Sequence, residues 1–255
     1  TFAGCDFRGT NITVSNALYA RMVAADPAAM AERPVTAQAL KTVIMQDQHA
    51  GKPPMTFAVV FPVSSHNYAL RYWLAAGGVD PDQDIRVVVV PPPQMVATLK
   101  AGNIDGYCVG EPWNEQAVAL GVGHAVVTDY EIWNNNPEKV LGVTRDWAER
   151  HPHTHRALVR ALLEAAIWMD QAANRPEVVR LIAQEAYVNA PEDVVGMSMT
   201  GTFQHNPGEA PRAMPDFNVF YRYAATFPWR SHAAWTLSQM LRWGQVRTAV
   251  DIRAT

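Results

Sequence analysis

The sequence predicts an α/β fold built from strand–helix–strand units. Three short apolar segments lie between residues 56 and 114, and each leads through a polar turn into a helical pattern: TFAVVFP into VSSHNYALRYWLAAGG, IRVVVV into PPPQMVATLKAGN, and DGYCVG into EPWNEQAVALG. Strands that alternate with helices in this way indicate βαβ units. Ligands bind such sheets where strands end and helices begin. We therefore expect His66, the corner at residues 91–93 and Gly110 to share one rim, which is a candidate binding site.

Two helices are predicted before these units. The first covers about residues 14–24, where Ser15 or Asn16 can cap it. The second covers about residues 36–47 and ends at HAGKPP, because glycine and two prolines cannot continue a helix. The chain must then enter Thr56 in an extended conformation, and we expect it to cross between two lobes there.

The segment after the three units predicts a return crossing and then a mainly helical scaffold. Two apolar runs, AVV and VLGV, are separated by an asparagine-rich turn. From residue 154 to about residue 173, apolar side chains recur at three- and four-residue steps, which is typical of an amphipathic helix. Pro176 and Pro191 each occupy the favoured first position of a further helix. Ser231 can cap a terminal helix.

Composition describes an ordinary globular chain. Its 255 residues are 49% hydrophobic and 18% charged, which is ample material for one or two cores. A formal net charge of -3 gives no electrostatic reason to expect nucleic acid as a partner. No apolar run approaches the roughly 20 residues that span a bilayer. We therefore expect a soluble protein.

Cysteines and the start of the chain say little about the cellular compartment. Cys5 and Cys108 are too few for a disulfide framework, and Cys108 sits in an apolar strand, where a free cysteine behaves as a small buried hydrophobe. The chain opens on TFAGCDFRGT, so either a signal peptide has been removed or the sequence begins partway through a larger protein. We adopt the second interpretation.

Several residue sets that suggest chemistry are discounted. His151, His153 and His155 lie two residues apart at a helix start, with no accompanying cysteine or carboxylate set, which is a weak metal signal. Cys108 with His66 lacks the environment that activates a thiolate. No turn has the glycine and lysine spacing of a phosphate loop, so ATP hydrolysis would belong to a separate subunit. We expect no cofactor, no metal and no catalytic residue.

Four stretches resemble the nitrate- and bicarbonate-binding proteins of ABC transporters. GEPWN after a DGYC-type strand, with HNYALRYW upstream, is a specific combination, whereas either piece alone is weak. The resemblance covers nearly all of the chain and includes cytoplasmic nitrate sensor proteins, which are similar in fold. The stretches are SSHNYALRYWLAAGGVDPDQD, VVVPPPQMVATLKAGNIDGYCVGEPWN, NPEKVLGVT and FPWRSHAAW.

The resemblance implies a two-lobed, periplasmic-binding-protein-like fold of type II, with the first part of lobe one missing. Such proteins close around a small oxyanion held between their lobes. Residues 1–55 would then be part of lobe one and a crossing, and residues 56–126 would be lobe two. Residues 127–255 would be the return crossing and the remainder of lobe one.

His66 and Lys139 are the main candidate ligand residues. His66 follows a helix start headed by Ser64 and Ser65, and a ring N–H beside free backbone N–H groups suits an anion. Lys139 can supply the compensating charge that a dehydrated anion needs. A bonded helix-start histidine and a solvated surface lysine are the alternatives, and the resemblance implies ligand contact at both positions.

Further ligand positions follow from the resemblance alone. Thr10 and Asn11 are expected in a turn before ITVSNALY, where relatives place a polar side chain against the anion. Glu111, Trp113 and Asn114 are expected to fix the turn and hinge, because a carboxylate beside an anion would repel it. The remaining implied wall positions are Pro92, Val109 and Gly110.

The resemblance implies anion transport. Lys139 favours nitrate or nitrite over bicarbonate, because the bicarbonate-binding relatives are acidic at this position. The expected partners are the permease and ATPase subunits of an ABC transporter at the periplasmic face. The alternative is a cytoplasmic nitrate sensor that controls an RNA-binding antiterminator regulator. An enzyme similar to those that make the thiamine pyrimidine ranks last, because it would need a reactive set of Cys, His and carboxylate groups.

Overall fold

The computed structural model describes residues 2–7 and 9–248 and confirms the predicted α/β class. The three apolar segments of the sequence form three strands, labelled β3, β4 and β5. The described strands are β1 (Phe2–Phe7), β2 (Thr10–Ser15), β3 (Met55–Val59), β4 (Ile85–Val89), β5 (Gly106–Gly110), β6 (Gly123–Thr128), β7 (Pro137–Gly142), β8 (Thr202–Phe203) and β9 (Arg212–Ala213).

The helices follow most of the sequence signals. Ser15 caps the first helix as predicted, because its hydroxyl oxygen accepts a hydrogen bond from the Leu18 N–H at 3.2 Å. No described helix is both long and apolar enough to cross a membrane. The helices are α1 (Asn16–Ala25), α2 (Pro27–Ala31), α3 (Gln38–His49), α4 (Ser65–Ala76), α5 (Met95–Lys100), α6 (Trp113–Ala119), α7 (Asp129–Ile132), α8 (Arg145–Arg150), α9 (Pro152–Met169), α10 (Arg175–Ile182), α11 (Glu192–Met199) and α12 (Arg230–Arg242).

Three predicted helix starts differ from the structure by one or two residues. Helix α10 begins at Arg175, so Pro176 is its second residue and not its first. Helix α11 begins at Glu192, so Pro191 is its N-cap and not its first residue. Helix α12 begins at Arg230, so Ser231 lies inside its first turn and does not cap it. Local signals fix a helix end only to within one or two residues.

The main sheet has five strands in the order β4-β3-β5-β2-β6. Strands β4, β3 and β5 run parallel, as the βαβ pattern predicts, whereas β2 runs antiparallel to both of its neighbours, β5 and β6. Thr10 and Asn11 therefore lie in a central strand and not in the predicted turn. This insertion places the start of β2 beside the end of β5, where Thr10 pairs with Gly110.

Helices α1, α3 and α4 pack against this sheet. Ile12, Leu40, Phe57 and Leu70 are fully buried in one cluster that joins β2, α3, β3 and α4. This cluster contains residues from both sides of position 56, where the sequence analysis expects one lobe to give way to the other, and that division stays a prediction. The stretch HAGKPP ends α3 as predicted, but the chain goes directly from there into β3 of the same sheet.

Several of the remaining strands and helices form smaller units outside the main sheet. Strand β1 pairs antiparallel with β7 in a separate two-stranded ladder, and β7 contains part of the expected return crossing. Helices α10 and α11 share a small core of their own. The segment after α12 returns to α4, because Tyr68 Oη donates to Gln245 Oε1 at 2.5 Å and Gln245 Nε2 donates to the Pro62 carbonyl at 2.8 Å.

Candidate functional site

His66 lies in the first turn of α4, after the loop that follows β3. Ser64 caps this helix, because its hydroxyl oxygen accepts a hydrogen bond from the Asn67 N–H at 3.2 Å. Asn67 Nδ2 in turn donates to the Pro62 carbonyl at 2.7 Å and fixes the loop. The imidazole is therefore held in a buried place at the rim of the sheet, with 7% of the residue exposed.

Four side chains, from β2, α4 and β7, converge on the carboxylate of Glu138. Thr10 Oγ1 donates to Glu138 Oε2 at 2.9 Å, and Ser65 Oγ donates to the same oxygen at 3.2 Å. His66 Nε2 lies 2.9 Å from Glu138 Oε1. Lys139 Nζ also donates to Oε1. The Glu138 side chain is only 5% exposed, so this anion is held away from bulk water.

Hydrogen bonds and positive charge keep Glu138 ionised. Burial alone raises the pKa of a carboxyl group, but the hydrogen bonds and charges of His66 and Lys139 outweigh it and lower the pKa of Glu138 to about 2. At neutral pH the rim of the sheet therefore carries a buried, planar monoanion with both of its oxygens bonded.

Gly110 ends β5 beside this carboxylate. A Cβ atom at this position would lie 3.7 Å from His66 Nε2 and 3.8 Å from Glu138 Oε1, so a larger side chain would enter the space next to the imidazole. Glycine keeps that space open. We call Thr10, Ser65, His66 and Gly110 the oxyanion cradle.

A cavity of about 290 Å³ opens beside the cradle. Gly110, Glu111, Glu138 and Lys139 form its charged end. The polar residues Ser198 and Asn218 also line the cavity. Most of the remaining lining consists of apolar side chains from α9, α10, α11 and the loops near them, namely Met169, Ile182, Val188, Val195, Met199 and Phe220.

The other predicted ligand positions lie outside the cradle. The Val109 side chain is buried in a core cluster, and its carbonyl accepts a hydrogen bond from Asn114 Nδ2 at 2.8 Å. Pro92 is half-buried in a 3-10 turn after the edge strand β4 and does not line the cavity. Asn11 is buried and donates through Nδ2 to the Glu111 carboxylate. The structure brings His66, Gly110 and Thr10 together. Val109 and Asn11 are their neighbours in β5 and β2, whereas Pro92 follows the edge strand β4, two strands from β5.

Glu138 is the residue that the sequence analysis missed. It is adjacent to the predicted Lys139, and successive side chains of a strand point to opposite faces. In β7 the inward position belongs to Glu138, whereas the Lys139 side chain is 61% exposed and reaches the carboxylate from outside. Alternation along NPEKVLGVT indicates that one of the two residues faces inward. The sequence analysis considered only Lys139 at this place.

Buried polar groups behind the cradle fix the junction of β2, β5 and α6. Thr13 Oγ1 donates to Asn114 Oδ1 at 2.8 Å, which agrees with the expected structural role of Asn114. Glu115 is fully buried, and its Oε1 accepts a hydrogen bond from the Gln204 N–H at 2.9 Å. Burial, with the charge of Glu111, raises the pKa of Glu115 to about 9, and burial raises that of Glu111 to about 7.

The discounted residue sets have packing roles. The Cys108 side chain is fully buried, and burial raises the pKa of its thiol, which keeps it protonated; the Cys5 side chain lies outside the described part of the chain. The rings of His151 and His155 contact Trp147 at 5.6 and 5.7 Å between centroids. Across residues 2–7 and 9–248, no three His, Cys, Asp or Glu side chains are grouped so that they could hold a metal ion.

Comparison with known proteins places this geometry in a family. The NMT1-like family matches residues 1–183. The nitrate import ATP-binding protein NrtC of Synechocystis is 46% identical over 192 residues, which are 75% of this chain and 28% of the relative. The bicarbonate transport ATP-binding protein CmpC of Synechocystis is 44% identical over 194 residues, again 75% of this chain and 28% of the relative.

A solved structure matches the fold as a whole. It is the crystal structure of the periplasmic nitrate-binding protein NrtA from Synechocystis PCC 6803, with a TM-score of 0.87 and 31% identity over 99% of this chain and 62% of that one. The chain thus spans less than two thirds of this relative. The family match and the shared fold confirm the resemblance seen in the motifs, and we conclude that the chain belongs to the NMT1-like family, together with the nitrate- and bicarbonate-binding proteins of ABC transporters.

Proposed function

We propose that this chain binds a small inorganic oxyanion, nitrate or nitrite, in the oxyanion cradle. The observation that carries the proposal is the convergence of donors from Thr10, Ser65 and His66 on one buried carboxylate. A carboxylate and a nitrate ion share a planar, delocalised group of oxygens with a single negative charge. Donors arranged for one of them therefore suit the other.

The energetics of such a site are favourable when the pocket is preformed. Micromolar affinity corresponds to about 8 kcal/mol. Hydrogen bonds to a charged group contribute about 1.5–3 kcal/mol each, so three of them approach this value before the cost of taking these donors from Glu138 is subtracted. The capped start of α4 and the buried position of Thr10 in β2 keep these donors in place without the ligand.

The proposed role is the substrate-binding part of an ABC importer at the periplasmic face. A permease and an ATPase would be its partners, and binding would shift the protein toward a closed form without any chemical step. Support comes from the relatives, one of which is a nitrate import ATP-binding protein and another a periplasmic nitrate-binding protein.

Bicarbonate is the second candidate ligand. Glu138 favours it, because bicarbonate has a hydroxyl group that can donate to a carboxylate oxygen, and nitrate has none. The similarity to CmpC, a bicarbonate transport protein, supports this candidate to nearly the same extent as the similarity to NrtC supports nitrate.

Calorimetric titration of the chain with nitrate, nitrite, bicarbonate and chloride tests the proposal. We expect saturable binding of nitrate or nitrite and weaker binding of chloride. His66→Ala should weaken nitrate binding about tenfold or more, or about 1.4 kcal/mol, because a donor to the anion is lost.

His49→Ala is the matched control, because His49 is exposed on α3 and bonds only within its own helix. The control should bind nitrate as the wild type does. Unchanged nitrate affinity in His66→Ala would refute the site assignment. Saturable binding of bicarbonate alone would replace nitrate by the second candidate.

A further inference from the structure

We propose that Glu138 determines the specificity of the oxyanion cradle by acting as a tethered competitor, so that an anion without a proton to donate must displace its carboxylate before it can bind. The inference rests on the proposed function, because it concerns the same cradle. It differs from that proposal in naming a residue of the chain as the occupant in the absence of ligand.

The donors of the cradle are fully used by Glu138. A serine or threonine hydroxyl has a single hydrogen, and so does His66 Nε2. Thr10 and Ser65 both direct theirs to Glu138 Oε2, and His66 Nε2 lies within hydrogen-bond distance of Oε1. No donor in this set can serve the carboxylate and a nitrate oxygen at the same time. Nitrate therefore gains these bonds only if Glu138 gives them up.

Charge leads to the same conclusion. Two anions at hydrogen-bond distance repel each other strongly in a site that excludes water, where the effective dielectric constant is low. The Glu138 side chain is 5% exposed, so solvent does not screen this repulsion. Nitrate and the Glu138 carboxylate thus exclude each other from the cradle for electrostatic reasons as well as by the count of donors.

The structure provides space for the displaced carboxylate. Glu138 lines the cavity of about 290 Å³, so open space lies next to its side chain. Rotation of the Glu138 side chain about its own bonds would move the carboxylate into this cavity and leave Thr10, Ser65 and His66 free to bind the ligand.

Displacement makes the cradle selective between anions. Nitrate and nitrite have no hydrogen and must displace Glu138 completely. Bicarbonate can donate its hydroxyl to a carboxylate oxygen and tolerates Glu138 nearby. Removal of the Glu138 charge should therefore raise the affinity for nitrate more than the affinity for bicarbonate. If Glu138 had a purely structural role, its removal would leave the ratio of these two affinities unchanged.

The test is calorimetric titration of wild type and Glu138→Gln with nitrate and bicarbonate, with thermal unfolding of each protein. Glutamine keeps the shape and removes the charge. We expect Glu138→Gln to bind nitrate about tenfold more tightly than wild type and to gain less for bicarbonate. Glu164→Gln removes the same charge from a side chain that is 72% exposed and should change neither affinity.

Glu138→Asp keeps the test decisive if the glutamine variant does not fold. The shorter side chain draws the carboxylate away from Thr10 and Ser65, so nitrate should again bind more tightly, by a smaller factor. Equal or weaker nitrate binding in a folded variant overturns the inference and leaves the proposed function standing. Absence of binding of any anion to wild type and to both variants overturns the proposed function, and the inference with it.

Discussion

The two sides of the cavity differ in how they treat polar groups. On the side of the sheet, the rim formed by β2, β5 and the starts of α4 and α6 buries polar side chains and bonds them to one another; Thr10, Asn114 and Glu115 are each at most 1% exposed. On the other side, the residues of α9, α10 and α11 that line the cavity are apolar except for Ser198, and the buried ion pair of Arg175 with Asp170 lies outside the cavity lining. This difference is why the proposed ligand site is assigned to the rim, with the helical side as a mainly apolar wall.

Asn114→Ala is expected to have the largest effect, because it removes the central bonds of the rim. Asn114 accepts from Thr13 Oγ1 and donates to the Val109 carbonyl, both in buried surroundings. Leaving two buried polar groups without partners should lower the free energy of unfolding by about 3 kcal/mol. Urea unfolding monitored by circular dichroism measures this change.

Asn16→Ala is the control for that experiment. Asn16 also bonds a carbonyl, that of Gly121, but it lies at the surface. We expect a loss below about 0.5 kcal/mol. Similar losses in the two variants would show that burial of polar groups does not distinguish the rim from the surface.

Glu115→Gln should have an intermediate effect that depends on pH. The pKa of Glu115 is raised from 4.5 to about 9 by burial and by the charge of Glu111. Below pH 4.5 the Glu115 carboxyl group is protonated in both the folded and the unfolded protein, so it does not affect the free energy of unfolding there. As the pH rises toward 9, only the unfolded state loses its proton, so the native wild type loses stability across this window.

Glutamine has no proton to lose, so Glu115→Gln should be about as stable as wild type at pH 4.5 and more stable by at least about 1 kcal/mol at pH 8. Urea unfolding at both pH values measures the difference. Glu185→Gln, at an exposed position, should show no such window. A stability gain for Glu115→Gln that is the same at both pH values would contradict the raised pKa.

The parts of the rim built from β3, β5 and α4 could be predicted from the sequence, whereas strand β2 and the burial of Glu138 could not. Strands β3, β4 and β5 and the capped start of α4 are local features, so the periodicity of TFAVVFP, IRVVVV and DGYCVG and the serines before His66 were sufficient. Strand β2 pairs with β5 about a hundred positions away, as Thr10 does with Gly110. The short run TNITVS does not reveal such a partner, and we assigned its first residues to a turn.

The burial of Glu138 also depends on residues that are distant in the sequence. Strand alternation predicts that Glu138 and Lys139 face opposite ways, but the choice of the inward residue depends on Thr10, Ser65 and His66, which lie 128, 73 and 72 residues away in the chain. Local sequence contains no information about those donors. The sequence therefore indicated Lys139, the residue that the resemblance implies, and gave no sign of its buried neighbour.

Lys139→Ala is expected to have the smallest effect. It tests an exposed charge of the cavity, in contrast to the buried polar groups of the rim. Lys139 pairs with Glu138, but its side chain is 61% exposed, and exposed ion pairs contribute about 0.2–1 kcal/mol. Nitrate affinity should therefore fall by about fivefold or less, and the free energy of unfolding should change little. Calorimetry beside His66→Ala provides the comparison. A loss larger than that of His66→Ala would mean that Lys139 becomes buried against the ligand, and that the helical side contributes to affinity as well as to the exclusion of water.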